Sequence, residues 1–173
     1  MTAPTSFPPG LEVSAWLNTP GQSPPASLHG RVVAVYAFQM LCPGCVSNAI
    51  PQAKGMYQCT GRDELAVLGL HCVFEHHEAM NERALAAFMH EYRIEFPVGI
   101  DHPGDPGPLP RTMARYRMRG TPTLLLFDRQ GVLRHSLFGH VPDLQVGLLV
   151  GQLLAEPAPE RCDAAGCRVP ASS

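Results

Sequence analysis

A chain of 173 residues, 45% hydrophobic and 16% charged, is long enough to bury one core of ordinary domain size and too apolar to stay disordered outside its ends. Its 13 basic and 15 acidic residues leave a formal charge of −2, and the basic ones form no block or stripe, which argues against nucleic acid or an anionic membrane as a partner. No apolar run approaches the roughly 20 residues that span a bilayer, and residues 1–10 carry neither the positive charge nor the apolar stretch of a secretory signal, so a cytoplasmic location is expected.

Residues 1–29, rich in Pro, Ser and Thr, read as a lead-in arm anchored by Trp16 and Leu17. Gly30 opens the first strand, residues 31–38, an unbroken apolar run of the kind buried on both faces in a parallel sheet. A helix is predicted over residues 45–57, kinked at Pro51 because a proline inside a helix removes a hydrogen bond and crowds the preceding turn. Residues 65–74 read as a second buried strand. Residues 81–92 follow as an amphipathic helix, with Leu85, Phe88, Met89 and Tyr92 at three-and-four spacing. A third strand covers residues 96–100, and a loop dense in Pro and Gly covers 101–110. A short helix over 112–118 leads to two strands, 123–127 and 132–138, joined across Asp128-Arg129-Gln130-Gly131, a hairpin signature. The closing helix, 143–155, offers Leu144, Leu148, Leu149 and Leu153 for burial, and Pro157 and Pro159 end it. The domain is thus expected over residues 30–155, followed by a Cys-containing tail, 156–173. Alternating strands and helices with a terminal hairpin imply an α/β fold, a mixed central sheet with helices on both faces.

Cys42-Pro43-Gly44-Cys45 falls between the first strand and the first helix, at the carboxyl edge where open α/β sheets hold ligands. The first thiol then sits at a helix N-terminus, where unpaired N–H groups and the helix dipole favour thiolate over thiol. The second lies one turn on, within reach of a mixed disulfide formed by the first. That is the minimum apparatus for thiol–disulfide exchange. Zinc knuckles share the spacing but come as two matched pairs. The other close pair, Cys162 and Cys167, lies far off in the tail, and redox chemistry is the stronger reading. In a reducing compartment paired cysteines are catalytic, redox-sensing or metal-bound. Cys72, inside an apolar run, reads as a small buried hydrophobe, and Cys59 has no assigned role.

Gly120-Thr121-Pro122-Thr123 precedes the hairpin, and a proline just before a buried strand is a candidate for the cis isomer. The apolar strand into Cys42-Pro43-Gly44-Cys45, the kink at Pro51 and this turn together resemble the thioredoxin superfamily. The helix and strand between Glu78 and Ile100 are similar to its redoxin branch, which includes thiol–disulfide oxidoreductases related to bacterial cytochrome-maturation proteins, and the peroxiredoxins. The resemblance covers about residues 31–155 and implies a thioredoxin-like fold with an inserted helix–strand unit. By matching position it makes Cys42 the nucleophile, Cys45 the resolving cysteine, Pro122 the cis-proline and Thr121 a lining residue of the substrate groove. Protein or small-molecule disulfides and a thiol electron donor are the partners it implies, with no cofactor and no bound metal.

The chain departs from the family pattern in several places. Leu41 stands where thioredoxins usually carry tryptophan, and Pro-Gly replaces Gly-Pro, which leaves the direction of electron flow open. Gln39 and Val35 stand where the peroxiredoxin pattern requires threonine and proline, so a peroxide pocket is unsupported. Residues 32–39 contain no acid, and Asn48 stands where the cytochrome-maturation relatives place glutamate. Glu75, at the end of the second strand, is the candidate proton relay. His71, His76 and His77 fall near the same strand end, yet on a strand His71 and His76 project to opposite faces. Cys162 and Cys167, framing a segment suited to a tight turn, are a candidate auxiliary redox pair. The expected function is thiol–disulfide exchange serving redox homeostasis. A redox-controlled metal carrier built on the cysteine pair and a histidine, and a thiol-dependent peroxidase of the antioxidant redoxin group, are the alternatives.

Overall fold

The computed structural model describes residues 8, 10–19, 28–59, 63–105 and 107–157, together with the backbone of two short strands in the tail. A mixed six-stranded sheet runs in the order β1 (Val13–Leu17), β4 (Val98–Asp101), β3 (Leu65–His71), β2 (Val32–Phe38), β5 (Thr123–Phe127), β6 (Leu133–Phe138). At its centre lie β2 (Val32–Phe38) and β3 (Leu65–His71), parallel, with Phe38 opposite His71. Every residue of both is buried, which is why their sequences run apolar without alternation. On the far side of β2 lies β5 (Thr123–Phe127), antiparallel and in hairpin with β6 (Leu133–Phe138). β4 (Val98–Asp101) extends the sheet beyond β3. Gly69 of β3 makes this centre fit: a Cβ there would stand 2.9 Å from Val98 Cγ2 and 3.2 Å from the Phe38 ring. Phe38 and Leu68 are each about 1% exposed, and burying such a side chain contributes roughly 1.5–3 kcal/mol.

α1 (Ile50–Cys59), α2 (Glu82–Glu91) and α4 (Asp143–Ala155) pack on one face, against Val32, Ala34, Tyr36 and Phe38. The other face is covered by α3 (Arg111–Arg115) and by Leu11, Leu28 and Met118, against Val33, Val35 and Leu68. Asn81 starts α2 by accepting the Ala84 N–H at 3.0 Å, which satisfies one of the helix's free donors. The β5–β6 turn is closed by Asp128, whose Oδ1 accepts from the N–H groups of Gln130 and Val132.

Several details differ from the reading of the sequence. Within the expected arm, Val13–Leu17 forms β1, an antiparallel edge strand with Leu17 opposite Val98 of β4. The helix after the cysteines opens with a π-helical turn, Cys45–Ala49, in which the Ile50 N–H reaches back to the Cys45 carbonyl. The wider turn lies directly ahead of Pro51, which has no N–H to give. α4 buries Val146, Val150 and Leu153, leaving Leu144 and Leu148 78% and 62% exposed. In the tail, β7 (Arg161–Asp163) and β8 (Gly166–Arg168) pair antiparallel with Cys162 opposite Cys167. The side chains of that pair lie outside the described residues.

Candidate active site

β2 delivers the chain to Cys42, and helical winding begins at Pro43, where a proline costs nothing because its N–H would lack a partner. The Cys42 carbonyl accepts from the N–H groups of Cys45 and Val46, both at 3.1 Å. Its sulfur accepts the Cys45 N–H at 3.2 Å. A helix N-terminus therefore aims a donor at that sulfur, where it stabilises negative charge. Cys42 is half-buried and Cys45 fully buried. Burial, then the hydrogen bond with Cys42, pushes the Cys45 thiol up to about 12, while bonds with Gln39 and Thr121 pull the other way. The outer sulfur can meet a substrate. The inner one keeps its proton.

The second half of the site is the turn into β5. The Thr121–Pro122 bond is cis. A Cβ on Gly44 would lie 3.5 Å from Pro122 Cδ, so the cysteine loop and the proline are in close approach. The Cys42 thiol donates to the Thr121 carbonyl at 3.6 Å. The turn is held by Thr123 Oγ1 donating to the Gly120 carbonyl at 2.7 Å and by the Gly139 N–H donating to the Pro122 carbonyl at 2.8 Å. Cys42, Cys45, Thr121 and Pro122, expected from the sequence to share a site, are adjacent.

Glu75 is not assembled with them. It is exposed in the loop after β3, and no hydrogen bond or ion pair among the described residues links it to either thiol. The acid buried beside a thiol is Asp101, at the end of β4. Its Oδ1 accepts the Thr112 N–H at 2.8 Å, and its Oδ2 accepts the Met113 N–H at 3.0 Å and the Cys72 thiol at 3.6 Å. Burial pushes Asp101 up, against its backbone hydrogen bonds, and pushes the Cys72 thiol well up too. The signal for Asp101 in the sequence is an acid at the carboxyl end of a strand, directly ahead of a Pro/Gly loop. His71 lies buried against the Phe38 ring, centroids 5.4 Å apart, and burial lowers it from 6.5 to about 4. His76 and His77 are exposed, so the three histidines do not converge. Among the described residues no three His, Cys, Asp or Glu side chains gather to hold a metal.

No family model matches the chain. Its structure superposes on that of the thioredoxin-like superfamily protein SPOA0173 with a TM-score of 0.84 and 52% identity, over 89% of this chain and 99% of that one. A thiol-disulfide isomerase from Corynebacterium glutamicum gives a TM-score of 0.81 and 46% identity, over 84% of this chain and 94% of its own. Protein DipZ of Mycobacterium bovis is 32% identical over 152 residues, and the DipZ of Mycobacterium tuberculosis matches equally. The chain spans 20% of the length of these curated relatives. With the cysteine pair and the cis-proline turn assembled on this sheet, and with a solved superfamily member matched over nearly its whole length, the chain belongs to the thioredoxin-like superfamily.

Proposed function

We propose that this protein is a thiol–disulfide oxidoreductase with Cys42 as nucleophile and Cys45 as resolving thiol. One observation carries the reading: the half-buried Cys42 sulfur takes a helix N–H at 3.2 Å and lies 3.6 Å from the Thr121 carbonyl, beside a cis-proline. The C. glutamicum neighbour's name, a thiol-disulfide isomerase, supports it. The Cys42 thiolate attacks one sulfur of a substrate disulfide, the substrate S–S bond breaks, and the departing sulfur leaves as a thiolate that takes up a proton. Cys45 then loses its proton and attacks the Cys42 sulfur of the mixed disulfide, releasing the second substrate thiol. Two electrons have passed to the substrate, and the protein holds a Cys42–Cys45 disulfide. A thiol electron donor returns the pair to the dithiol by the same exchanges, and run backwards the sequence introduces a disulfide into a partner. Thr121 and Pro122 offer the backbone along which the substrate lies. Cys59, exposed and without a disulfide partner among the described residues, fits a reducing compartment, and the cytoplasm is the compartment proposed.

The test is catalysed reduction of a peptide disulfide by dithiothreitol. Cys42→Ser should abolish it, and Cys45→Ser should accumulate a mixed disulfide visible by mass spectrometry. Wild-type rates from Cys42→Ser, or equal trapping by both variants, would overturn the assignment. The reduction potential of the pair then fixes direction: about −270 mV marks a reductant and about −120 mV an oxidant.

A further inference from the structure

Four of the 13 basic residues fall within nine positions, Arg111, Arg115, Arg117 and Arg119, and no acid occurs between Asp105 and Asp128. This run leads directly into Gly120-Thr121-Pro122. Outside the run Arg134 pairs with Asp128 and Glu156, Arg129 with Glu64 and Arg31 with Asp63, and within it Arg111 pairs with Glu12. Arg117 and Arg119 are exposed and form no ion pair among the described residues. Together with Thr123, Ser136, Phe138 and Val141 they line a cleft of about 300 Å³ whose other walls are Met118 and Leu137, with no carboxylate among them.

The cleft adjoins the reacting sulfur through a short chain of contacts. Cys42 Sγ is 3.6 Å from the Thr121 carbonyl. One residue back, Gly120 lies so close to the Phe138 ring that a Cβ would stand 3.1 Å from it. Over that half-exposed ring, 5.1 Å from its centroid, lies the Arg119 guanidinium. Arg117 follows α3 with φ of 50°, the left-handed position at which helices favour glycine. A long cationic side chain thus occupies a conformation that L-residues rarely adopt.

We propose that Arg117 and Arg119, with Phe138, form a specificity site for carboxylate side chains in the polypeptide segment that carries the substrate disulfide. The inference rests on the oxidoreductase reading, which brings that segment to Thr121. A segment lying along Gly120 and Thr121 passes the cleft within a few residues of its cysteine. There Asp or Glu meets two guanidinium groups with no competing acid in the cleft, while Lys or Arg meets like charge.

The experiment uses the full chain, dithiothreitol as reductant, and short peptide disulfides alike except for Glu, Gln or Lys beside the cysteines. kcat/KM should fall in the order Glu, Gln, Lys, with about tenfold between the extremes at low ionic strength and convergence at high salt. Arg117→Glu combined with Arg119→Glu should reverse the order, and lysine at both positions should preserve it. Equal kcat/KM for all three peptides in wild type, or an order that survives charge reversal, would overturn the proposal. Glutathione disulfide outpacing the Glu peptide would overturn it in favour of a small anion. Failure of wild type to turn over even the Gln peptide faster than Cys42→Ser would instead bring down the oxidoreductase reading, and this inference with it.

Discussion

Burial of His71 makes the fold acid-sensitive by an amount that can be worked out. The side chain is 1% exposed, packs on the Phe38 ring and has no partner for Nε2 among the described residues, and burial lowers it from 6.5 to about 4. A depressed value means that the unfolded chain takes up the proton first. The stability His71 permits is therefore complete above the ordinary value of 6.5 and is lost as pH falls toward about 4. Linkage over that window gives a loss of roughly 1 kcal/mol near pH 5.5 and about 3 kcal/mol near pH 4. His71→Leu removes the titrating group and leaves an apolar side chain against Phe38. Urea unfolding of both proteins at neutral pH, near pH 5.5 and near pH 4 should show the variant gaining on wild type by these amounts, whatever its stability at neutral pH. Other groups titrate in both proteins and cancel. His71→Gln, which keeps polarity without a proton to gain, should behave like the leucine variant. Parallel pH profiles for wild type and both variants would refute the reasoning.

Other outcomes follow from the same geometry. Asp101→Ala leaves the buried N–H groups of Thr112 and Met113 without their acceptor and should cost about 2–4 kcal/mol in urea unfolding. An unchanged midpoint would remove Asp101 from the account of how α3 is held. Gly69→Ala forces a methyl within 2.9 Å of Val98 and 3.2 Å of Phe38, and the same assay should record a loss of about 1–3 kcal/mol, against which a raised midpoint would count. If Cys162 and Cys167, opposed across β7 and β8, relay electrons to the Cys42–Cys45 pair, ending the chain after Ala155 lowers steady-state turnover with the electron donor while a single round of substrate reduction keeps its rate. Equal turnover would exclude the relay.

The parts legible in the sequence were those whose signal is local. β2 and β3 announce themselves as uninterrupted apolar runs because both faces are covered, and the Asp128-to-Gly131 turn carries its own closing acceptor. β1 was not legible: Val-Ser-Ala-Trp-Leu is short, follows a proline-rich stretch, and becomes a strand only because β4 supplies its partner. In α4, apolar residues occupy so many positions that periodicity cannot choose a face. The sheet takes Val146, Val150 and Leu153 and leaves Leu144 and Leu148 outside. Cys42 and Cys45 are legible because residue type and spacing encode their chemistry, and Pro122 as a proline ahead of a buried strand, whereas the role of Thr121 is implied only by the resemblance to the thioredoxin superfamily. Glu75 is the acid the sequence offers because it ends the strand beside the cysteine-bearing one, and Asp101, also at a strand end, draws no reading there. What buries an acid beside a thiol is a set of donors from α3, and those come from a different part of the chain.

The 3.6 Å contact between the Cys42 thiol and the Thr121 carbonyl also makes the docking surface differ between oxidation states. In the dithiol that carbonyl carries the S–H. Once the two sulfurs are joined there is no hydrogen to give, and both lone pairs of the oxygen are open to a backbone N–H from outside. The oxidised protein thus offers a visiting chain one more lone pair than the reduced protein does. A net hydrogen bond is worth about 0.5–1.5 kcal/mol, a factor of roughly two to ten in dissociation constant. A donor that delivers its electrons here weakens its own hold as it does so, while a substrate that takes them tightens its hold by the same factor, so the contact favours release in one half of the cycle and retention in the other.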